Sequence, residues 1–218
     1  MKSVKNAMLL YAVTDRKWLG GNTLAYQVEQ ALKGGATCIQ LREKEMSEHD
    51  FLNEAIQIKK VCKKYGVPLI INDNAEIAVK SGADGVHVGQ NDMNAKDVRK
   101  IIGENLILGV TARTPDEAKN AEQSGADYIG AGCVFTTSTK PDTKHISYDT
   151  LKEITHSVSI PVVAIGGVNA ENIMELKGSG VCGAAVVSAV FSSEDIEAEC
   201  RKLHNLSLKM AGENSESE

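Results

Sequence analysis

SGADGVHVGQND, residues 81–92, contains a helix stop, a strand and a polar strand end in immediate succession. Gly82 can take the left-handed conformation that ends a helix, and the apolar residues 85–88 are typical of a strand buried on both faces. Similar turns precede every second apolar run along the chain: Gly34-Gly35-Ala36, Ser124-Gly125-Ala126-Asp127 and Gly178-Ser179-Gly180-Val181. This recurrence indicates a fold assembled from like modules.

Short apolar runs alternate with amphipathic segments along the whole chain. The eight predicted strands are 8–14, 37–41, 68–71, 85–88, 106–109, 128–131, 162–165 and 184–188, with helices predicted between them, for example at 23–33, 48–64 and 114–123. Eight such units without a clear internal boundary favour an α/β fold, a single-domain (β/α)8 TIM barrel, over residues 1–209. An open doubly wound sheet predicts the same alternation. Residues 210–218 are polar and acidic, and we expect a tail there.

Composition limits the kinds of partner. The chain has 218 residues, 42% of them hydrophobic, and a formal net charge of −5, which argues against broad attraction to nucleic acid or an anionic membrane. The first apolar run is too short for a signal peptide or a membrane span. The five cysteines are scattered without a CxxC pair, as in proteins with reduced thiols. We therefore expect a cytoplasmic protein that acts on small molecules, and the sequence leaves a homo-oligomer open.

Polar residues at the end of the second strand suggest a binding site, because the C-terminal strand ends of a barrel form its active face. The segment there is Gln40-Leu41-Arg42-Glu43-Lys44. If the extended conformation continues, Gln40, Arg42 and Lys44 point the same way. A guanidinium fork and a mobile ammonium can together hold a diphosphate. A solvated charged loop, balanced by Glu43, is the alternative.

Two carboxylates follow neighbouring predicted strands. Asp73 comes after the third strand and Asp92 after the fourth, and parallel neighbours lie about 4.8 Å apart, so both can serve one ion. Oxygen ligands with few other protein donors suit Mg2+. Ordinary turn chemistry is the alternative. His87, inside the fourth strand, is predicted to be buried and hydrogen-bonded, with a substrate contact as the second interpretation.

Three further segments suggest phosphate binding. The long segment 130–142 after the sixth strand is crowded with hydroxyl groups and carries Lys140, so it can offer several donors to a phosphate. Gly166-Gly167 follows the seventh predicted strand and Val187-Ser188 closes the eighth. Barrels often bind phosphate through backbone amides at these two places.

Together these segments resemble the thiamine phosphate synthase family over nearly the whole chain. The matching stretches are LYAVTD (10–15), QLREK (40–44), IND (71–73), DGVHVGQND (84–92), GADYIG (125–130), TSTK (137–140), PVVAIGG (161–167) and VVS (186–188). No single stretch is decisive, and the resemblance rests on their order and completeness.

The resemblance implies an enzyme that joins hydroxymethylpyrimidine diphosphate to a thiazole phosphate, or to its carboxylated form, and releases pyrophosphate. It implies Mg2+ as cofactor, held by Asp73 and Asp92. The substrate-binding residues that it implies are Gln40, Leu41, Arg42, Glu43, Lys44, Asn72, Thr111 and Lys140 toward the pyrimidine diphosphate, and Thr137, Ser138, Thr139, Gly167, Val187 and Ser188 toward the thiazole phosphate. Arg42, Lys44 and Lys140 would act on the leaving diphosphate, so that no enzyme nucleophile is needed.

The sequence departs from the family pattern at three positions. Thr111 stands in place of a serine, Arg113 in place of a common histidine, and Cys133 in place of a proline before the hydroxyl-rich loop. The last two can alter loop geometry or substrate preference. None removes a residue expected to hold the metal or the diphosphate.

Two rival functions are compatible with the same barrel. A thiazole tautomerase would need no diphosphate site, so the retained basic and acidic residues, and Arg113, count against it. A non-catalytic protein that binds thiazole or thiamine phosphates is the second rival. Release of pyrophosphate from the two substrates separates the synthase from both.

Overall fold

The chain folds into a closed barrel of eight parallel strands in sequence order. The computed structural model describes residues 3–136 and 145–212. The strands are Leu10–Val13 (β1), Cys38–Leu41 (β2), Leu69–Asn72 (β3), Gly85–Val88 (β4), Ile107–Ala112 (β5), Tyr128–Ala131 (β6), Val162–Ile165 (β7) and Gly183–Val186 (β8). The prediction of a (β/α)8 barrel is confirmed against the open sheet, because β1 pairs with β8 as well as with β2.

Helices cover the outside of the barrel. They are Val4–Ala7 (α1), Leu24–Lys33 (α2), Glu48–Tyr65 (α3), Ala75–Ser81 (α4), Ala95–Ile102 (α5), Pro115–Gln123 (α6), Tyr148–Ser157 (α7), Ser188–Phe191 (α8) and Ile196–Ala211 (α9), with 3-10 turns at Arg16–Trp18 and Ile173–Leu176. In the part of the chain that is described, no helix combines the length and the apolar character needed to cross a bilayer.

The predicted element boundaries are nearly correct, and the differences have local causes. The predicted helix starts at Thr23 and Thr114 are N-caps, whose side chains accept hydrogen bonds from the first turns of α2 and α6. β5 extends to Ala112 because it pairs with Ala131 of β6 at that point. Helix α9 continues to Ala211, so residues 210 and 211 are helical. Residues 213–218 of the predicted tail lie outside the described residues.

Alternation along each strand separates two cores. Side chains such as Ile39, Leu41 and Ile71 point outward and pack in the layer between strands and helices. Inward-facing side chains such as Tyr11 and Tyr128 fill the barrel interior with smaller apolar residues. This alternation decides which residues of a strand can reach the barrel mouth.

Residues at three of the repeated turns join neighbouring strands at the N-terminal ends of the strands, which form the lower end of the barrel. Asp84, before β4, accepts a hydrogen bond from the backbone N–H of Leu69 in β3 at 2.7 Å. Asp127, before β6, accepts from the N–H of Leu108 in β5, also at 2.7 Å. Thr37, before β2, does the same for the first residue of β1 with its hydroxyl, at 2.8 Å. Asp84, Asp127 and Thr37 thus each join an odd strand to the next even one.

Loss of this contact should destabilise the barrel. In Asp84→Ala the N–H of Leu69 and the ammonium of Lys59 both lose their acceptor, so we expect the free energy of unfolding to fall by about 1–3 kcal/mol. Urea denaturation followed by circular dichroism measures the change. The matched control is Asp97→Ala, which removes only an exposed pair with Lys100 and should change stability by less than about 0.5 kcal/mol. Equal midpoints for the two variants would contradict this role of Asp84.

Candidate active site

One cavity opens at the C-terminal ends of the strands, and all eight strands or the segments that follow them contribute to its wall. Its lining comprises Val13, Gln40, Arg42, Asn72, Asp73, His87, Gly89, Asp92, Thr111, Arg113, Gly132, Cys133, Ile165, Gly166, Gly167, Val168, Ala185, Val186, Val187 and Ser188. Nine of the residues predicted to contact substrate or metal are in this set. The structure therefore brings together positions that lie far apart in the sequence.

Charged groups of both signs meet on one side of the cavity. The Nζ of Lys44 lies 2.6 Å from Oδ2 of Asp73, and both side chains are partly exposed. Arg42 lines the cavity, and its buried Nε has no hydrogen-bond partner among the described residues. Because a buried guanidinium nitrogen without a partner is costly, Arg42 is placed to accept an anionic ligand.

Asp73 has an unusual backbone conformation, with φ of 63° at the end of β3. Few residues other than glycine adopt this left-handed region, although aspartate is among those that tolerate it. Such strained conformations cluster at ligand-binding sites. The backbone N–H of Asp73 donates to the carbonyl oxygen of His87 at 2.8 Å, which holds the carboxylate beside the end of β4.

Asp92 serves a turn and the cavity together. Its Oδ2 accepts a hydrogen bond from the backbone N–H of Gly89 at 2.8 Å, which is the turn chemistry considered as the alternative. The same side chain lines the cavity with Asp73. Among the described residues no cluster of three or more His, Cys, Asp or Glu side chains could hold a metal ion. Two carboxylates on one cavity fit a hard cation such as Mg2+ only where water and phosphate oxygens supply the other ligands.

The cavity floor is a set of polar side chains that face inward from five strands. Gln40 is buried and donates to the hydroxyl of Tyr11 at 2.7 Å. His87 is 7% exposed and contacts Tyr128 and Thr111 through its two ring nitrogens, at 2.9 Å each. The prediction of a buried, hydrogen-bonded histidine is confirmed, and the ring also borders the cavity.

The opposite wall is built from backbone. Gly167 follows β7 with φ of 71°, and a Cβ there would lie 2.4 Å from the carbonyl oxygen of Thr136. Only glycine satisfies both conditions. Helix α8 starts at Ser188 without a side-chain cap. The N–H of Val190 bonds to the carbonyl oxygen of Val187, which leaves the N–H groups of Ser188 and Ala189 without a partner among the described residues. Val187 and Ser188 line the cavity at this point.

The side chains of two residues predicted to bind substrate face away from the cavity. Leu41 is fully buried in the layer between strands and helices, and Glu43 pairs with Nε of Arg16 at 2.8 Å. Burial raises the pKa of the Glu43 carboxyl even though Arg16 lowers it. Both side chains alternate with Gln40 and Arg42 and therefore point away from the cavity.

Other predicted residues stand apart from the cavity wall for different reasons. Lys44 does not line the cavity but contacts Asp73, which does. The predicted residues Thr137, Ser138, Thr139 and Lys140 lie outside the described residues. Their proposed part in binding stays a prediction.

The sequence interpretation missed part of the wall. Val13, Ile165 and Val168 carry no polar signal, although their positions at or after strand ends mark them as candidates once a barrel is predicted. Arg113 is absent from the predicted binding residues, yet it lines the cavity and its buried Nε has no hydrogen-bond partner among the described residues. A cation within a few residues of a strand end is the signal that could have identified it.

The thiol at the cavity is a poor nucleophile. Burial raises the pKa of Cys133, and its Sγ lies 2.6 Å from the carbonyl oxygen of Phe135, to which it donates. All five cysteines are buried and none forms a disulfide. Burial raises the pKa of Cys62 and of Cys200 to about 12. Since the thiolate is the reactive form, the site offers no activated cysteine.

Comparison with known proteins identifies close relatives. A model of the thiamine monophosphate synthase family matches residues 10–190. The thiamine-phosphate synthase of Ruminiclostridium cellulolyticum is 52% identical over 202 residues, covering 93% of this chain and 96% of that protein. The thiamine-phosphate synthase of Clostridium botulinum is 50% identical over 194 residues, covering 89% and 91%. A solved thiamine phosphate pyrophosphorylase from Pyrococcus furiosus superposes with a TM-score of 0.88 at 36% identity, covering 95% of this chain and 98% of that one.

Proposed function

Because the chain belongs to the thiamine monophosphate synthase family, we propose that it couples 4-amino-2-methyl-5-hydroxymethylpyrimidine diphosphate to thiazole phosphate, or to its carboxylated form. The products are thiamine phosphate and pyrophosphate, with carbon dioxide as a third product when the thiazole is carboxylated. The observation that carries the proposal is the convergence of Arg42, Asp73 and Asp92 on one cavity at the barrel mouth. Cationic side chains and a metal ion both favour expulsion of a diphosphate, and the metal ion needs carboxylate ligands at the same place.

The basic groups suit the diphosphate. The guanidinium of Arg42 borders the cavity with its Nε unpaired among the described residues, and arginine can hold two phosphate oxygens at once. Lys44 contacts Asp73, which lines the same cavity. The flexible ammonium of Lys44 can move to a phosphate oxygen. Lys140, outside the described residues, is proposed as a third cation on the leaving group.

Asp73 and Asp92 would hold Mg2+, which supplies charge neutralisation to the leaving diphosphate. Their carboxylates share one cavity, and fewer than three acidic, histidine or cysteine ligands gather there among the described residues. That donor set leaves coordination positions for phosphate oxygens. The ammonium of Lys44 occupies Oδ2 of Asp73 at 2.6 Å and would have to give way to the cation.

The backbone wall suits the second substrate. Gly167 brings the chain after β7 close to the cavity, and the uncapped start of α8 lies beside it. Backbone N–H groups in such turns favour phosphate. We assign the phosphate of the thiazole to this wall, with Thr137, Ser138 and Thr139 as proposed additional donors.

Besides binding these charged groups, the protein has to orient the two substrates for the reaction. The C–O bond to the diphosphate breaks with its electron pair on the leaving oxygen, and the thiazole nitrogen forms the new C–N bond at the pyrimidine methylene. The aminopyrimidine can spread developing positive charge, so no covalent enzyme intermediate is required. Cys133 stays protonated because burial raises its pKa, and Gln40 and Asn72 remain to orient the pyrimidine ring.

Five buried thiols without a disulfide support a cytoplasmic location, which we propose as well.

Pyrophosphate release tests the function directly. We expect the purified protein to release one pyrophosphate per thiamine phosphate when both substrates are present with Mg2+. Release should stop when either substrate is omitted and fall strongly with excess EDTA. A coupled pyrophosphate assay with chromatography of thiamine phosphate makes both measurements. Conversion of a thiazole tautomer without pyrophosphate release, or binding without turnover, would contradict the proposal.

Asp92→Ala tests the metal site. We expect turnover to fall by about 100-fold or more, because one carboxylate of the proposed Mg2+ pair is lost. The change should be measured at limiting and at saturating Mg2+, with circular dichroism to establish that the barrel is folded. Asp97→Ala is the matched control, since its exposed carboxylate pairs with Lys100 and with no other described residue. Normal turnover of Asp92→Ala at limiting Mg2+ would remove Asp92 from the metal site.

Lys44→Ala should separate two effects of one ammonium. Turnover should fall by about 10- to 100-fold because a cation is lost from the leaving group. Mn2+ binding in the absence of substrate should become tighter, because Asp73 is freed from its pair. Calorimetric titration with Mn2+ measures the affinity, with Lys100→Ala as control for a surface lysine of similar pairing. Weaker Mn2+ binding in Lys44→Ala would contradict competition between lysine and metal.

A further inference from the structure

A continuous chain of hydrogen bonds crosses the barrel interior beneath the cavity. Nε2 of Gln40 donates to the hydroxyl of Tyr11 at 2.7 Å, and that hydroxyl lies 2.9 Å from the hydroxyl of Tyr128. Tyr128 contacts Nδ1 of His87, and Nε2 of His87 contacts the hydroxyl of Thr111, both at 2.9 Å. The five residues come from β2, β1, β6, β4 and β5 in that order. Gln40, His87 and Thr111 line the cavity.

We propose that this chain is a positioning relay, in which His87, Tyr128 and Tyr11 fix Thr111 as a hydrogen-bond donor and Gln40 as an acceptor toward the substrate. The proposal deepens the function proposed above and rests on it. Tyr11 and Tyr128 lie beneath the cavity, and the ring of His87 borders it. The effect of all three residues on the substrate is exerted through Gln40 and Thr111.

The number of protons on each group determines which group donates at each hydrogen bond of the relay. Gln40 donates its amide hydrogen to Tyr11, so the single proton of Tyr11 goes on to Tyr128 and that of Tyr128 to Nδ1 of His87. His87 then carries its proton on Nε2 and donates to Thr111. With the amide of Gln40 in this orientation, the opposite direction would leave the buried hydroxyl of Tyr11 with a proton that has no acceptor in the relay, which is costly.

Both phenols can act as donors throughout. Tyr11 and Tyr128 are 1% and 0% exposed, and burial is the largest cause that raises the pKa of each hydroxyl well above its usual value. Each phenol therefore keeps its proton at neutral pH. Each phenol has a single proton to donate, so the hydrogen-bond direction that begins at Gln40 continues to His87.

The barrel is shaped to hold these rings. A Cβ at Gly109 would lie 2.1 Å from the ring of Tyr128 and 2.5 Å from Nδ1 of His87. A Cβ at Gly130 would lie 2.9 Å from Cε1 of His87. The rings of Tyr11 and Tyr128 meet edge to face with centroids 6.0 Å apart. Enclosure on these sides leaves the imidazole little room to turn over.

The two ends of the relay match the chemistry of the pyrimidine diphosphate. The hydroxyl proton of Thr111 is left unused by the relay, and an anionic diphosphate oxygen is a strong acceptor for it. The amide oxygen of Gln40 accepts no hydrogen bond among the described residues, so it suits the amino group of the pyrimidine. One network thus orients both ends of the same substrate.

Nitrogen-15 NMR of protein labelled in histidine tests the relay without any substrate. His87→Gln assigns the signal of His87 by its disappearance. We expect the neutral tautomer with the proton on Nε2, and we expect Tyr128→Phe to change the tautomer signature because Nδ1 loses its donor. A proton on Nδ1, or a charged imidazole, in the wild-type protein would overturn the proposal, whether or not any variant folds.

Kinetics test the effect on catalysis. Tyr128→Phe should lower kcat/KM for the pyrimidine diphosphate about tenfold and leave the KM for thiazole phosphate unchanged. Tyr65→Phe is the matched control, since it removes an exposed phenol that donates to Glu29, and its kinetics should be normal. If Tyr128→Phe does not fold, Tyr11→Phe takes its place. An equal loss toward both substrates, or none, would overturn the relay. Because the NMR experiment uses no substrate, it can fail while pyrophosphate release succeeds, or succeed while release fails.

Discussion

Ala12 of β1 pairs with Val186 of β8, and this lateral contact between the ends of the sheet closes the barrel. In a closed parallel barrel every strand ends at the same rim. Arg42, Asp73 and Asp92 leave three successive strands and meet there only because the sheet curves back on itself. An open sheet would spread the eight strand ends along an edge and leave the seventh and eighth far from the second.

The closed interior has a second consequence for the site. Large rings from opposite strands must share a small space, and the glycines of β5 and β6 provide room for His87 and Tyr128. Polar side chains there are out of contact with solvent, so each must find a partner inside the barrel. The resulting hydrogen bonds are directional and connect the floor of the cavity from β2 to β5. Stability and substrate orientation therefore depend on the same contacts.

The two ends of the barrel divide their tasks. At the lower end, Asp84 and Asp127 accept hydrogen bonds from strand backbone and pair with Lys59 and Arg99 of the outer helices. At the upper end, Asp73 and Asp92 lie on the cavity, and among the described residues neither carboxylate accepts a hydrogen bond from the backbone of a neighbouring strand. The same residue type stabilises the barrel at one end and is proposed to bind a cation at the other. Its position relative to the strand decides between the two.

The sequence by itself determined the eight alternating units, the turns that repeat before every second strand, and most polar residues at the strand ends. These follow from local rules, since glycine ends helices and alternation decides which face of a strand is buried. Only the tertiary structure decided that Leu41 and Glu43 turn away from the cavity, that Arg113 and Val168 border it, and that His87 connects Tyr128 with Thr111. These contacts join residues from different strands, and their distances depend on how the barrel closes. No local pattern carries that information, because curvature and register arise from all eight strands together.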